Sequence, residues 1–150
     1  MKFDEKLDIS DLKRCVNNFY RTLEEALKRE NEFLAIKQEF EDADDFLYHF
    51  SRSAMIQVFE ITVESSWKMM QRWVKINSDN KIHEKPKREL FRTAHQCGLI
   101  SDPVVWWGFY DGRNKTSHTY DEEIAEEVYD LAKKLGNYLS DFIERLEKRL

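Results

Sequence analysis

The stretch Asp45–Ile76, DFLYHFSRSAMIQVFEITVESSWKMMQRWVKI, decides how this chain folds. It contains neither Gly nor Pro, and Phe46, Phe50, Ala54, Val58, Phe59, Val63, Ser66, Met70, Trp73 and Val74 recur at helical spacing, giving one wide apolar face. Such a helix, with a wide apolar face, is expected to lie across the middle of a bundle. The polar run NSDNKIHEK, rich in turn formers, then stops it.

Upstream, a first helix is predicted from Ser10, read as an N-cap followed by Asp11, with Leu12, Cys15, Val16, Phe19, Leu23, Ala26 and Leu27 as its stripe. Residues 30–44 are acidic and more mixed, with a weaker stripe at Phe33, Leu34, Ile36 and Phe40, and read equally as helix end, loop or entry to the next helix. Downstream, Pro86 suits a first turn and Gly98 a C-terminal stop, so a short helix is predicted over 86–97 around Leu90, Phe91 and Ala94. Asp102 and Pro103 form an N-cap and first-turn pair for a helix carrying Val104, Val105, Trp106, Trp107, Phe109 and Tyr110, apolar nearly all round and so expected to be buried on several sides, in part by a second subunit. Gly112 weakens that helix just before Arg113. Thr119 and Glu122 read as a capping box opening a last helix through Ile124, Val128, Leu131, Leu135, Tyr138, Leu139, Phe142, Ile143 and Leu146.

Composition agrees with an all-α fold: among 150 residues there are only 4 Gly and 2 Pro, while charged residues reach 35%. The 41% hydrophobic content, with 10 Phe, 6 Tyr and 4 Trp, fills one core, so a single domain over 1–150 is predicted. A net charge of -5 argues against a broad electrostatic surface for duplex DNA or anionic membrane. Cys15 and Cys97 stand alone and read as reduced, inert thiols. MKFDEKLDIS has no apolar core of a secretory leader, and no window approaches the ~20 apolar residues that span a bilayer, so a soluble, cytoplasmic protein is expected. His49, His83 and His95 share no metal-ligand spacing, and no metal is expected in this chain.

Chemistry concentrates in DGRNKTSHTYDEE, residues 111–123. In one continuous helix Arg113 and His118 would sit about 140° apart around the axis and about 7.5 Å apart along it. A helix end between them lets both turn toward one pocket, and the open start of the next helix offers backbone N–H groups to an anion such as phosphate. Arginine forks onto phosphate oxygens, histidine moves a proton near neutral pH, and Asn114 and Thr116 fix geometry. That set serves metal-independent RNA cleavage by the neighbouring 2′-hydroxyl, or the holding of a nucleotide. An Arg and a His at a helix junction also serve structure alone, and Tyr120 packs as readily as it reacts. Glu60, Glu64 and Lys68, four apart on the central helix, form a polar stripe that is either a surface ion pair or the lining of a cleft. Trp67, Trp106 and Trp107 either stack a base or fill the core.

RNKTSHTY carries the Arg-x4-His-x-Tyr pattern of the HEPN superfamily, and the chain as a whole resembles the nucleotidyltransferase substrate-binding protein family. QVFEITVESSWKMMQRW, Gln57–Trp73, is similar to that family's FE-x-T-x-E-x-x-WK helix through Phe59, Glu60, Thr62, Glu64, Trp67 and Lys68. KRELFRTAHQCGLISDPVVWWGFYDGRNKTSHTYDEEIAEEVY then follows the family order of short helix, GLI turn, Trp-bearing helix, RN-x3-H-x-Y and acidic helix start, so that the likeness covers residues 9–147. Gly112 departs from it, standing where an acidic residue is expected.

The resemblance implies an up-and-down four- or five-helix HEPN-like bundle that dimerises, placing Arg113 and His118 of both copies in one composite cleft. It also implies a partner, a separate minimal nucleotidyltransferase chain that binds ATP and Mg2+, with no cofactor bound by this chain itself and a homodimer or higher hetero-oligomer as the assembly. On that basis the chain is expected to be a helical substrate-binding subunit in a toxin–antitoxin-like pair, with Asn114, Thr116, Glu64, Lys68 and Trp67 as binding or supporting residues. The alternative is a metal-independent ribonuclease toxin acting on RNA through Arg113 and His118, neutralised when the partner adenylylates Tyr120.

Overall fold

Asp45 accepts hydrogen bonds from the backbone N–H groups of Leu47 and Tyr48 at 2.9 and 3.4 Å, and so starts the central helix where the sequence predicts it. In the computed structural model, which describes residues 7–150, this helix is α2, Phe46–Asn77. Around it lie α1 (Ser10–Glu39), α3 (Lys87–Gln96), α4 (Pro103–Arg113) and α5 (Glu122–Glu147), with 3-10 turns at Ile82–Glu84 and Thr116–His118 and no strand among the described residues. The acidic start MKFDEK, part of the reading that no leader is present, lies outside those residues. None of the described helices is long and apolar enough to cross a membrane.

The helices run up and down. α1 is antiparallel to α5, since Tyr20 meets Gly136 and Ser140 while Glu30, farther along α1, meets Tyr129 and Lys133. α2 runs parallel to α5, with Tyr48 near Glu126 at one end and Trp73 near the Arg149 carbonyl at the other. α2 packs on all four other helices, so the apolar stretch that opened the reading is the axis of the core. Met55, Phe59, Val63, Met70 and Val74 from α2 meet Phe19 of α1, Phe91 of α3, Trp106 and Phe109 of α4, and Val128, Leu135 and Phe142 of α5 in one buried cluster. Two uncharged polar residues of α2 are buried with them, and so is Arg52. Thr62 and Ser66 hydroxyls donate to the Val58 and Thr62 carbonyls, both at 2.7 Å, so neither is left without a partner.

Three local expectations are corrected, and two segments that the sequence left open are settled. Ser10 is the first residue of α1 and not its cap; its backbone N–H donates to the Asp8 carboxylate at 2.9 Å. The mixed segment after residue 30 continues α1 to Glu39, because Phe33 stacks on Tyr48 at 4.6 Å and Glu30 binds Tyr129 and Lys133 across the bundle. Phe46 and Phe50, counted as core from their spacing, are largely exposed, at 78% and 64%. The polar run after α2 is not a bare loop, for Ile82 in its 3-10 turn is fully buried. Finally, α5 begins with Asp121, whose carboxylate accepts from the N–H groups of Glu123 and Ile124, and not with a Thr119/Glu122 box. Thr119 instead donates to the Thr116 carbonyl at 3.2 Å, while Glu122 accepts from Arg52 of α2.

The predicted stops and starts around α3 and α4 stand. Gly98 adopts φ 81° and, with the Gly98 and Leu99 N–H groups bonded to the His95 and Ala94 carbonyls, closes α3 in a left-handed cap. Pro86 sits one place earlier than predicted, at the N-cap position of α3. Asp102 caps α4 through Val104 and Val105, with Pro103 in the first turn. α4 is not buried all round, however: Trp106, Phe109 and Gly112 face inward, whereas Val104 is 74% exposed.

Candidate functional site

Arg113 is the last residue of α4, and its position is set by the residue before it. Gly112 is buried against α5 and α2: a Cβ there would stand 2.3 Å from Leu131 Cδ1 and 3.8 Å from Phe59 Cζ. The glycine thus does more than loosen the helix end. It lets α4 approach the core closely, and a larger side chain there would have to displace the Leu131 methyl.

From that position the Arg113 guanidinium meets two carboxylates of α2. Nε donates to Glu64 Oε2 at 3.1 Å, and a terminal nitrogen lies 3.6 Å from Glu60 Oε1. Glu64 also accepts from Trp67 Nε1 at 3.0 Å and lies 3.2 Å from Lys68 Nζ. Glu60, Glu64, Trp67, Lys68 and Arg113, which the sequence scatters over two helices, therefore form one polar cluster with Glu64 at its centre. Partial burial pushes the Glu64 carboxyl up, but hydrogen bonds from Trp67 and Lys68 and the charge of Arg113 outweigh it and hold the group below its ordinary value. Glu64 is therefore held as a carboxylate at neutral pH, with the arginine against it.

The link from Arg113 to α5 is a chain of tight turns. The N–H groups of Asn114, Lys115, His118 and Asp121 donate to the carbonyls of Asp111, Gly112, Lys115 and His118 at 3.0 to 3.1 Å. Thr116 adds a hydroxyl bond to the Arg113 carbonyl at 2.8 Å, so it fixes geometry as expected, though on the backbone and not on a ligand. Lys115 is tied to Glu127 of α5 at 2.7 Å. His118 and Tyr120 are exposed neighbours, their rings edge to face with centroids 6.2 Å apart. Among the described residues no side-chain hydrogen bond joins either of them, or Asn114, to Arg113. The structure thus separates the predicted site into a held arginine and an open His118–Tyr120 pair.

The expected anion seat at the start of α5 is corrected. The backbone N–H groups there are taken by the Asp121 carboxylate, and Glu122 and Glu123 make the first turn acidic, which repels phosphate. The acidity has a structural cause. Arg52 is buried in α2 and is bracketed by Glu122 at 2.6 and 2.9 Å and by Glu126, so those glutamates neutralise a charge inside the bundle. Tyr48 donates to the same Glu126 at 3.0 Å, and burial together with that carboxylate pushes its phenol up to about 12. Among the described residues no three His, Cys, Asp or Glu side chains gather as metal ligands.

Sequence reasoning missed a set of cations. Lys87 and Arg88, at the start of α3, lie over the indole rings of Trp67 and Trp107, at 4.3 and 4.5 Å. No spacing along the chain shows this, because each ring belongs to a different helix from its cation. Trp106 is core, at 5.4 Å from both Phe109 and Phe142, whereas Trp67 and Trp107 are partly exposed.

Comparison with known proteins bears on this geometry. The family model described as "Nucleotidyltransferase substrate binding protein like" matches residues 7–150. A protein of Haemophilus influenzae named "Probable ribonuclease HepT" is 44% identical over 77 residues, 49% of this chain and 52% of the relative, so the match spans about half the length of that protein. The solved structure of HI0074, from the same organism and described as revealing the fold of a substrate binding domain of a nucleotidyltransferase, superposes with a TM-score of 0.78 at 27% identity. That superposition covers 93% of this chain and 99% of the other.

Proposed function

Since the chain belongs to the nucleotidyltransferase substrate-binding protein-like family, we propose that it is the helical subunit of a two-chain system. In this reading a separate minimal nucleotidyltransferase supplies ATP and Mg2+, and this chain supplies the surface that presents the acceptor. The observation that carries the reading is the state of Arg113. Its guanidinium is bound to Glu64 and faces Glu60, so it braces α4 against α2 and is not free for a scissile phosphate. The likeness to HI0074 along nearly its whole length supports the same assignment. The assembly proposed is a cytoplasmic homodimer, or a larger complex with the nucleotidyltransferase, in a toxin–antitoxin-like pair. The test is to mix the chain with its neighbouring nucleotidyltransferase, ATP and Mg2+, and to follow complex formation by size-exclusion chromatography and AMP transfer by intact mass. A complex is the expected result, and two chains that elute apart overturn the reading.

A second reading is favoured by the likeness to the probable ribonuclease and by the exposure of His118 and Tyr120. Here Arg113 exchanges its carboxylates for a phosphate of RNA, His118 takes the proton of the attacking 2′-hydroxyl, and the P–O5′ bond breaks as the P–O2′ bond forms, leaving a 2′,3′-cyclic phosphate and a 5′-hydroxyl that takes up a proton. Tyr120, 87% exposed, offers its phenol oxygen to the α-phosphorus of ATP on the partner; the P–O bond to the leaving pyrophosphate breaks as the tyrosyl–AMP bond forms. RNA incubated with the free chain in EDTA is then cleaved, and His118→Ala abolishes cleavage. Intact RNA after prolonged incubation removes this reading and leaves the first untouched.

A further inference from the structure

The cations that cross from α3 to the indoles of α2 and α4 belong to a larger surface. A cavity of about 290 Å3 opens between α3 and the start of α4, lined by Arg88, Arg92, Pro103, Val104 and Trp107. Trp107 lies 5.5 Å from Tyr110, and Tyr110 lies 6.2 Å from Trp67, whose indole nitrogen reaches Glu64 beside Arg113. An aromatic row thus leads from the cavity to the Arg113 cluster. Cations flank it along its length: Arg92 and Arg88 at the cavity, Lys87 over Trp67, and Lys68 5.8 Å from the same ring. Among the described residues Lys87 and Arg88 pair with no carboxylate, and Arg92 meets only Glu89, at a loose 3.8 Å with both side chains largely exposed.

In a chain of net charge -5 this is a local concentration of positive charge set on ring faces. We propose that the α3–α4 surface is a binding site for single-stranded RNA, in which the Arg88 guanidinium moves off the ring of Trp107 to hold a phosphate beside Arg92, one base takes its place on the indole, and the strand runs over Tyr110 and Trp67 toward Arg113. The combination selects the ligand. A flat ring face rewards a base, whichever base it is, while exposed guanidinium and ammonium groups reward phosphates. An acidic peptide would satisfy the cations and leave the rings unused. The inference extends the RNA-directed reading to residues outside the Arg-x4-His motif, and it concerns binding by the free chain, with neither cleavage nor a nucleotidyltransferase required.

The experiment is a titration of a fluorescein-labelled single strand of about 12 uridines with the free chain at low salt, read by anisotropy. Arg88→Glu with Arg92→Glu is expected to weaken binding at least about tenfold and to flatten its salt dependence, and Trp107→Leu to weaken it about tenfold with the salt slope kept. Arg21→Glu with Lys28→Glu, the same change of charge on exposed residues of α1, should leave the affinity within about twofold. Circular dichroism melts establish that each variant is folded. UMP in place of the strand separates the sources of a nucleotide: binding that depends equally on Trp107 but is at least about tenfold weaker supports a strand site. UMP binding as tight as the strand, tighter binding of poly-glutamate, or an affinity for RNA that neither α3–α4 variant changes would each overturn the proposal. Loss of nucleotidyltransferase binding in a separate experiment would not touch it.

Discussion

Glu64 is where several roles meet in a single side chain: it accepts from Trp67, pairs with Lys68 and holds Arg113. Its folded-state pKa lies below the ordinary value, so the stabilisation it contributes is present above the unfolded value and is lost as pH falls through the folded one. Glu64→Gln should therefore lower stability by about 0.5–1 kcal/mol at neutral pH, a modest figure for a pair partly open to solvent, and the difference from wild type should vanish in acid below the carboxylate range. Urea titrations of both proteins across that range give the measurement. Next to this cluster, Gly112→Asp would force a carboxylate against Leu131 and Phe59. A cost of about 2–4 kcal/mol is expected, from overpacking and from burying charge, and thermal unfolding reads it directly.

At the scale of elements, the junction between α4 and α5 is set by Asp121 and by the salt bridges behind it. Replacing Asp121 with Ala removes the acceptor for two backbone N–H groups and should cost about 1 kcal/mol, while Thr119→Ala should cost only a few tenths. A reversal of that order would restore the capping box. Arg52→Met tests the other side of the junction, because it removes the buried cation and leaves Glu122 and Glu126 facing one another. A loss of about 1–2 kcal/mol is expected at pH 7, since a buried cation paired with two solvent-accessible glutamates is gone. It should shrink in acid as Glu122, whose carboxyl Arg52 holds below its ordinary value, takes up a proton, which equilibrium denaturation at two pH values would show.

For the whole molecule, the distribution of apolar surface matters more than its amount. α2 supplies the axis of the core, yet its first turns carry Phe46 and Phe50 stacked on each other in solvent, with Leu47 also exposed beside them. Phe46→Ser with Phe50→Ser should change unfolding free energy by less than about 1 kcal/mol per site, because neither ring loses burial. If stability of the isolated chain falls by several kcal/mol and depends on protein concentration, those rings are covered by another copy, and sedimentation equilibrium would show the dimer dissociating.

Helix content, the span of α2, the cap at Asp102 and the stop at Gly98 were legible in order along the chain, because each depends on neighbours within one or two turns. So was the set Glu60, Glu64, Trp67 and Lys68, which shares a face of one helix. Other features depend on which helix lies beside which. The side of α2 that meets core excludes Phe46 and Phe50; the α1 segment after residue 30 is helical because Tyr48 and Tyr129 wait for it; and Glu122, expected in a capping box with Thr119, is instead drawn across to Arg52 of α2. Local sequence by itself determined the elements of this protein and the residue types of its motif, since helix formation and capping are short-range. Only the tertiary structure decided that Arg113 is held by Glu60 and Glu64, that His118 and Tyr120 stand open, and that the cations of α3 lie on the rings of α2 and α4, because ion pairing and ring stacking require atoms within a few ångströms that the chain brings together only by packing.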